Sequence, residues 1–211
     1  MQTENLTQGT DEWLAARIGK CTGSRFHDAC SYTRSGSETA ARRNYKYQLV
    51  AERLTGQQQD FYTNRAMDWG TATEDSARLA YEFKSGNEVD QAGMLVHPKL
   101  ADVGFSPDGL VGEDGAIEIK CPETSTHIQT LTSGKIPAKY MEQVLGVMWV
   151  TGRKWCDFIS YDPRLPEDLQ MIVIRLERNE KQVNQLDEDI QEFLSEVDKE
   201  YHQVMKLRDT V

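Results

Sequence analysis

The chain has 211 residues, 38% hydrophobic and 27% charged, the balance of a soluble globular protein with one domain, residues 1–211, and a core of fair size. No apolar run nears the roughly 20 residues that cross a bilayer. The opening MQTENLTQGTDEW is too polar for a signal peptide, and Cys21, Cys30, Cys121 and Cys156 are scattered without a C-x-x-C, so membrane insertion, secretion and a disulfide framework are not expected.

In chain order, Thr10 or Asp11 can cap a short helix through Arg17, and Thr22-Gly23-Ser24 can cap a second from about Ser24 to Cys30. Tyr32 to Ser37 is a loop of small polar residues. Glu38 to Leu54 is helical in pattern and stops at Gly56, a suitable C-cap, and Gln57 to Thr63 is a polar connector. Met67 to Phe83 places Trp69, Ala72, Leu79, Ala80 and Phe83 at helical spacing ahead of Gly86. Strands are predicted over Glu88 to His97, Leu100 to Phe105, Gly109 to Val111 and Ala116 to Ile119. A short helix over Ser125 to Leu131 and an apolar one over Ala138 to Val150 follow. Lys154 to Tyr161 and Leu169 to Leu176 complete the strands, and Glu180 to Arg208 is a long amphipathic helix. This order predicts a mixed sheet flanked by helices, with helix 138–150 as the crossover.

Charge is uneven along the chain. The net charge of −10 opposes indiscriminate DNA binding, because phosphate contacts require Lys and Arg. Basic residues nevertheless outnumber acidic ones six to three over 21–56 and four to two over 131–160, which allows a basic groove in an acidic body. His27, His97, His127 and His202 have no spacing that suits zinc.

The segment with most chemical content is FSPDGLVGEDGAIEIKCP, residues 105–122. The Asp114-Gly115 step signals a hairpin. Side chains alternate on a strand, so Glu118 and Lys120 share one face while Ile117 and Ile119 take the other. Pro107 cannot donate to a ladder and marks a strand end, which leaves Asp108 at an irregular point beside Glu118. Buried charges need a partner or a metal. Asp108, Glu118 and the Ile119 carbonyl offer hard oxygen ligands suited to Mg²⁺ or Mn²⁺. Lys120 can reach the same point, either to orient and help deprotonate a water or to neutralise charge developing at phosphorus.

Seven landmarks then give the chain a family likeness: DEWLAARIG at 11–19, TGS at 22–24, WGTATED at 69–75, FSPDGL at 105–110, EIKCP at 118–122, YMEQVLGVMWV at 140–150 and FISYDPR at 158–164. In their order and spacing the chain resembles the phage lambda exonuclease family, the YqaJ-type viral recombinase nucleases of the PD-(D/E)XK superfamily. The resemblance implies an α/β restriction-endonuclease-like core. It implies that Asp108, Glu118 and the Ile119 carbonyl hold metal with Glu74 as a further acid, that Lys120 is catalytic, and that Gln143 and Tyr140 stand near the reacting phosphate. Arg17, Thr22 and Ser24 would receive a terminal 5′-phosphate, as an Arg fork with hydroxyls at a helix start can. Arg34 and Arg42 are the residues assigned to DNA near the loop at 32–37. The chain departs from close relatives after Gln143, where Leu145, Gly146 and Val147 stand in place of more polar or aromatic residues.

The activity implied is Mg²⁺-dependent 5′-to-3′ digestion of linear double-stranded DNA to mononucleotides, leaving a 3′ single-stranded tail. Two Mg²⁺ ions would serve, with Mn²⁺ as a substitute. A ring-shaped homotrimer, a single-strand annealing protein as partner, and the cytoplasm of a bacterium carrying a phage or prophage complete the expectation. Two alternatives compete: a site-specific or structure-specific endonuclease of the same fold, and a non-catalytic scaffold that binds DNA ends. An iron–sulfur nuclease would need a cysteine cluster after the core, and no cysteine follows Cys156.

Overall fold

The computed structural model describes residues 3–4, 6, 8–59 and 65–208. Its strands form two four-stranded sheets. Strand β1 (Thr3–Glu4), β3 (Met94–Val96), β4 (Val103–Phe105) and β2 (Cys21–Thr22) lie in the order β1-β3-β4-β2. Strands β5 (Gly109–Val111), β6 (Gly115–Lys120), β7 (Trp155–Tyr161) and β8 (Met171–Glu177) make the second sheet in sequence order. Strand β6 pairs antiparallel with β5 and parallel with β7, and β7 pairs antiparallel with β8. The parallel pair requires a crossover, supplied by helices α5 (Thr124–Ser133) and α6 (Met141–Thr151). The strand expected over Glu88 to His97 contracts to β3, with Asp90 making only an isolated bridge to Leu110.

The helices end where their sequences provide caps. The Thr10 hydroxyl accepts from the Trp13 N–H at the start of α1 (Asp11–Arg17), and Thr39 accepts from the Arg42 N–H at the start of α3 (Ala40–Thr55). Gly56 and Gly152 close α3 and α6 in the left-handed conformation, at φ 65° and 74°. Between Ser24 and Cys30 the expected helix is a 3-10 turn (Gly23–Arg25) followed by a short α2 (Phe26–Ala29).

Helices cover both faces of the second sheet. On one face Ala116, Phe158 and Cys156 pack into a core with Val144, Val147 and Met148 of α6 and with Val183, Leu186, Ile190 and Phe193 of α7 (Glu180–Arg208). On the other, Ile117, Ile119 and Ile159 meet Ala77 and Tyr81 of α4 (Arg65–Ser85). The Leu145-Gly146-Val147 departure is a packing feature. A Cβ on Gly146 would sit 2.6 Å from the Phe26 ring, so glycine lets α6 approach α2.

Four of the six basic residues over 21–56 pair with acids. Arg25 pairs with Asp28, Arg42 with Glu196, Lys46 with Glu38 and Glu196, and Arg53 with Asp102 and Asp198. Part of the segregated charge thus reflects α3 packing against α7, while Arg34, Arg43, Lys135 and Lys139 remain exposed.

Candidate active site

Strand alternation sends Glu118 and Lys120 to the α6 face and Ile117 and Ile119 to the α4 face, as the sequence requires. The last β5–β6 ladder pair is Gly109 with Ile117, so the end of β6 has no neighbour on that edge. Asp108, just ahead of β5, fills the gap, and its Oδ2 accepts from the Ile119 N–H at 2.7 Å. In an extended strand the N–H and C=O of one residue point to the same edge, which brings the Ile119 carbonyl to the Asp108 side.

Glu118 is fully buried. Its Oε1 accepts from Lys120 Nζ at 2.5 Å, and its Oε2 has no hydrogen-bond partner. A buried carboxylate oxygen left without a donor costs about 1–3 kcal/mol or more, so a polar group or cation belongs there. Burial first, and then the neighbouring Asp108 carboxylate, push the Glu118 pKa up to about 8. Burial likewise raises Asp108, against the opposing pull of Lys120 and the Ile119 N–H. Burial alone would drive Lys120 towards the neutral amine, but Glu118 and Asp108 outweigh it and hold its pKa above the usual value.

Glu74 comes to this centre from α4. Burial and then Asp108 raise its pKa to about 7, with Lys120 opposing. Glu74 and Asp108 line one open cleft of about 470 Å³ together with Asp75, Arg78, Gln91 and Pro107. Among the described residues no three His, Cys, Asp or Glu side chains converge closely enough to cage an ion by themselves. The acids gathered around this strand end are Asp108, Glu118 and Glu74. Tyr140 borders the same strand end. Tyr140 stacks on Phe158 at 5.6 Å, with Lys120 Nζ 5.4 Å from its ring centroid, and Gln143 is half-buried in the first turn of α6.

Residues 12–154 match the YqaJ-like viral recombinase domain. The chain belongs to that family. It is similar to the crystal structure of an alkaline exonuclease, LHK-Exo, from Laribacter hongkongensis, over 95% of this chain and 99% of that one, at 42% identity and a TM-score of 0.88. The same protein in complex with dAMP matches to the same degree. A phage-related exonuclease from Haemophilus somnus shares the fold, with 16% identity and a TM-score of 0.67 over 90% of this chain and 96% of that one. A stretch of 64 residues, 30% of this chain, is 44% identical to 71% of ExoD from Escherichia coli K12. The restriction-endonuclease-like α/β fold expected from the sequence thus holds for this recombinase-family chain. Among the described residues no helix is long and apolar enough to cross a membrane.

Of the residues that family membership implies for the 5′-phosphate, Arg17 and Thr22 are together. Arg17 Nη2 donates to Thr22 Oγ1 at 3.2 Å, and its guanidinium lies 4.1 Å from the Trp13 ring centroid. Both line a small cavity of about 20 Å³ with Lys20, Arg25, Tyr45 and Glu52. That space admits little more than a water-sized group, so it suits phosphate oxygens rather than a whole nucleotide. The Glu52 carboxylate is already engaged by the Gly19 N–H and Gln48. Trp13 Nε1 donates to Ser106 Oγ at 2.8 Å, which ties the helix bearing Arg17 to the segment bearing Asp108. Ser24 is exposed on the 3-10 turn and does not line this cavity.

Arg34 is exposed on the loop before α3. Arg42, expected at DNA, is instead wholly buried, bonded to Glu196 and to the Ala29 carbonyl and set against the Phe193 and Tyr32 rings. It cannot reach a phosphate without unfolding the α3–α7 contact. Sequence reasoning passed over Arg25, whose guanidinium lies 4.1 Å from the Tyr45 ring centroid in the Arg17 cavity. Its position directly after Ser24 was the available signal.

Proposed function

We propose that this chain is a divalent-metal-dependent exonuclease that digests the 5′-ended strand of linear double-stranded DNA to mononucleotides and leaves a 3′ single-stranded tail. The observation that carries this reading is the buried Glu118 Oε2, without a donor, between Asp108 and Lys120. The alkaline exonuclease similar at 42% identity over nearly its whole length supports it, as does the occurrence of that protein in complex with dAMP, a mononucleotide.

Asp108, Glu118 and the Ile119 carbonyl would hold Mg²⁺, with Glu74 serving a second ion from the α4 side and Mn²⁺ as a substitute. The metal supplies Lewis acidity and a nucleophilic water at neutral pH. Lys120 stays an ammonium, which favours neutralising charge on the reacting phosphate over abstracting a proton. Gln143, beside Tyr140, orients the attacking water or the phosphate. Arg17 and Thr22 take the terminal 5′-phosphate and so set which end is attacked. A homotrimeric ring, a single-strand annealing partner and a phage or prophage origin in the bacterial cytoplasm belong to the same proposal.

The deciding experiment compares 5′-phosphorylated linear duplex with the same DNA as a covalently closed circle, with Mg²⁺ and with EDTA. Mononucleotides released only from the linear form, and only with metal, are expected. Cleavage of the circle would replace this reading with the endonuclease alternative. Intact linear DNA under every metal condition would leave the end-binding scaffold. A mass measurement in solution tests the trimer.

A further inference from the structure

Beyond Lys120 the chain leaves β6 at Cys121 and Pro122. Beyond Ser160, the register partner of Lys120, it leaves β7 at Tyr161 and Asp162. Asp162 is wholly buried. Its carboxylate accepts from Arg164 Nε at 2.7 Å, Arg164 Nη2 at 3.0 Å, the Arg164 backbone N–H at 3.0 Å and Thr124 Oγ1 at 2.6 Å. Arg164 Nη2 also reaches the Pro122 carbonyl at 3.3 Å. The guanidinium so held lies over the indole of Trp69, on α4, 4.8 Å from the ring centroid.

This arrangement exceeds what neutralising one carboxylate requires. Asp162 and Pro122 fix the guanidinium through Nε and Nη2, while 46% of the Arg164 side chain and 37% of Trp69 remain exposed. Among the described residues Nη1 makes no hydrogen bond. The platform is also close to the chemistry. Cys121, next to Lys120, lies within the electrostatic reach of Glu74, Asp108, Lys120 and Asp162 together. In open α/β sheets, ligands bind beyond the carboxyl ends of the strands, which is where Arg164 stands relative to β6 and β7. An aromatic ring paired with a fixed arginine is the surface on which unpaired nucleotides stack, since every base has a π-face and every linkage a negative charge.

We propose that Arg164, held over Trp69 by Asp162, grips the DNA strand beside the bond being cut, with Nη1 on a phosphate and the Trp69–Arg164 face against an unpaired base. The proposal rests on the exonuclease reading above and adds a contact that positions the frayed strand. The test uses the full-length protein carrying Arg164→Gln, Arg164→Lys or Trp69→Leu. Binding of labelled blunt duplex and of a single-stranded oligonucleotide is measured in EDTA over a range of KCl, beside steady-state digestion with Mg²⁺. Arg164→Gln is expected to weaken binding about tenfold, lower the salt slope by about one and raise KM, with kcat within about twofold. Arg164→Lys restores the slope but not the full affinity. Trp69→Leu weakens single-strand binding at unchanged slope.

An Arg164→Gln protein with wild-type affinity and salt slope overturns the proposal. If that variant does not fold, for want of a partner for Asp162, Trp69→Leu decides, and unaltered single-strand affinity refutes the platform. Failure of the wild type to bind or cut DNA removes the exonuclease reading and this contact with it. A wild type that cuts, matched in every respect by its variants, removes this contact alone.

Discussion

Replacing Glu118 by glutamine tests whether this centre is built for a cation at a cost to the fold. An acid whose pKa rises on folding keeps its proton where the unfolded chain has lost it. The folded state of the metal-free protein therefore loses stability as pH climbs from the ordinary 4.5 towards the raised value of about 8, and the loss levels off above that. The span corresponds to a penalty on the order of 5 kcal/mol at about 1.4 kcal/mol per pKa unit. Glutamine has no proton to lose, so Glu118→Gln should lack this part of the pH dependence. For a chain of this length 1 kcal/mol shifts Tm by roughly 2–4 °C. The gap between variant and wild type should thus widen by on the order of 10 °C between pH 5 and pH 9, in favour of the variant in chelator. Mg²⁺ should raise the wild-type Tm at pH 8.5 and leave the variant unmoved, and the variant should not cut DNA. The assay is thermal unfolding by circular dichroism in EDTA and in Mg²⁺. Parallel Tm curves in EDTA, or a magnesium shift that survives the substitution, would refute the argument.

Lys120→Ala should abolish digestion while metal-dependent stabilisation and DNA binding persist, and turnover near the wild-type rate would remove its catalytic role. Arg17→Ala should narrow the preference for 5′-phosphorylated over 5′-hydroxyl ends, read as a ratio of initial rates on matched duplexes; an unchanged ratio would take it out of the pocket. Glu196→Ala strands the buried Arg42 guanidinium. It should cost about 3 kcal/mol of stability, the low end for a broken buried pair because Glu196 is partly exposed, with turnover per folded molecule unchanged. Denaturant midpoints within error of the wild type would falsify that structural role for Arg42.

What was legible in the sequence was local. The Asp114-Gly115 turn, the two-residue alternation of Ile117, Glu118, Ile119 and Lys120, and the break at Pro107 each act within a few bonds, and together they placed Asp108 beside Glu118 before any tertiary contact was considered. The caps at Thr10 and Gly56 are local in the same sense. The first sheet was legible only in β3 and β4, and its two outer strands were missed for the opposite reason. Strands β1 and β2 are two residues each, too short to carry a period, and they exist only because β3 and β4 are there to pair with. Glu74 read as a site residue only through the family motif, since a carboxylate on a helix has no spacing that aims it at a strand 40 residues away.

Arg42 and Arg164 show where a charged side chain misleads. Both are arginines beside carboxylates, and the difference lies in what else each touches. Arg42 ends against Phe193 with none of its surface in water, so its charge is spent inside the protein. Arg164 is fixed by Asp162 yet keeps nearly half its side chain in solvent. Lys46 and Arg53 are likewise tied to acids, in a protein of net charge −10. Such a chain gains little from counterion release along a continuous duplex. On the exonuclease reading proposed above, the fixed cations that meet the DNA end are those of the Arg17 cavity, Lys120 and Arg164. On the same reading, the net negative charge opposes contact with the rest of the duplex, and selection of a chain end rests on those fixed contacts.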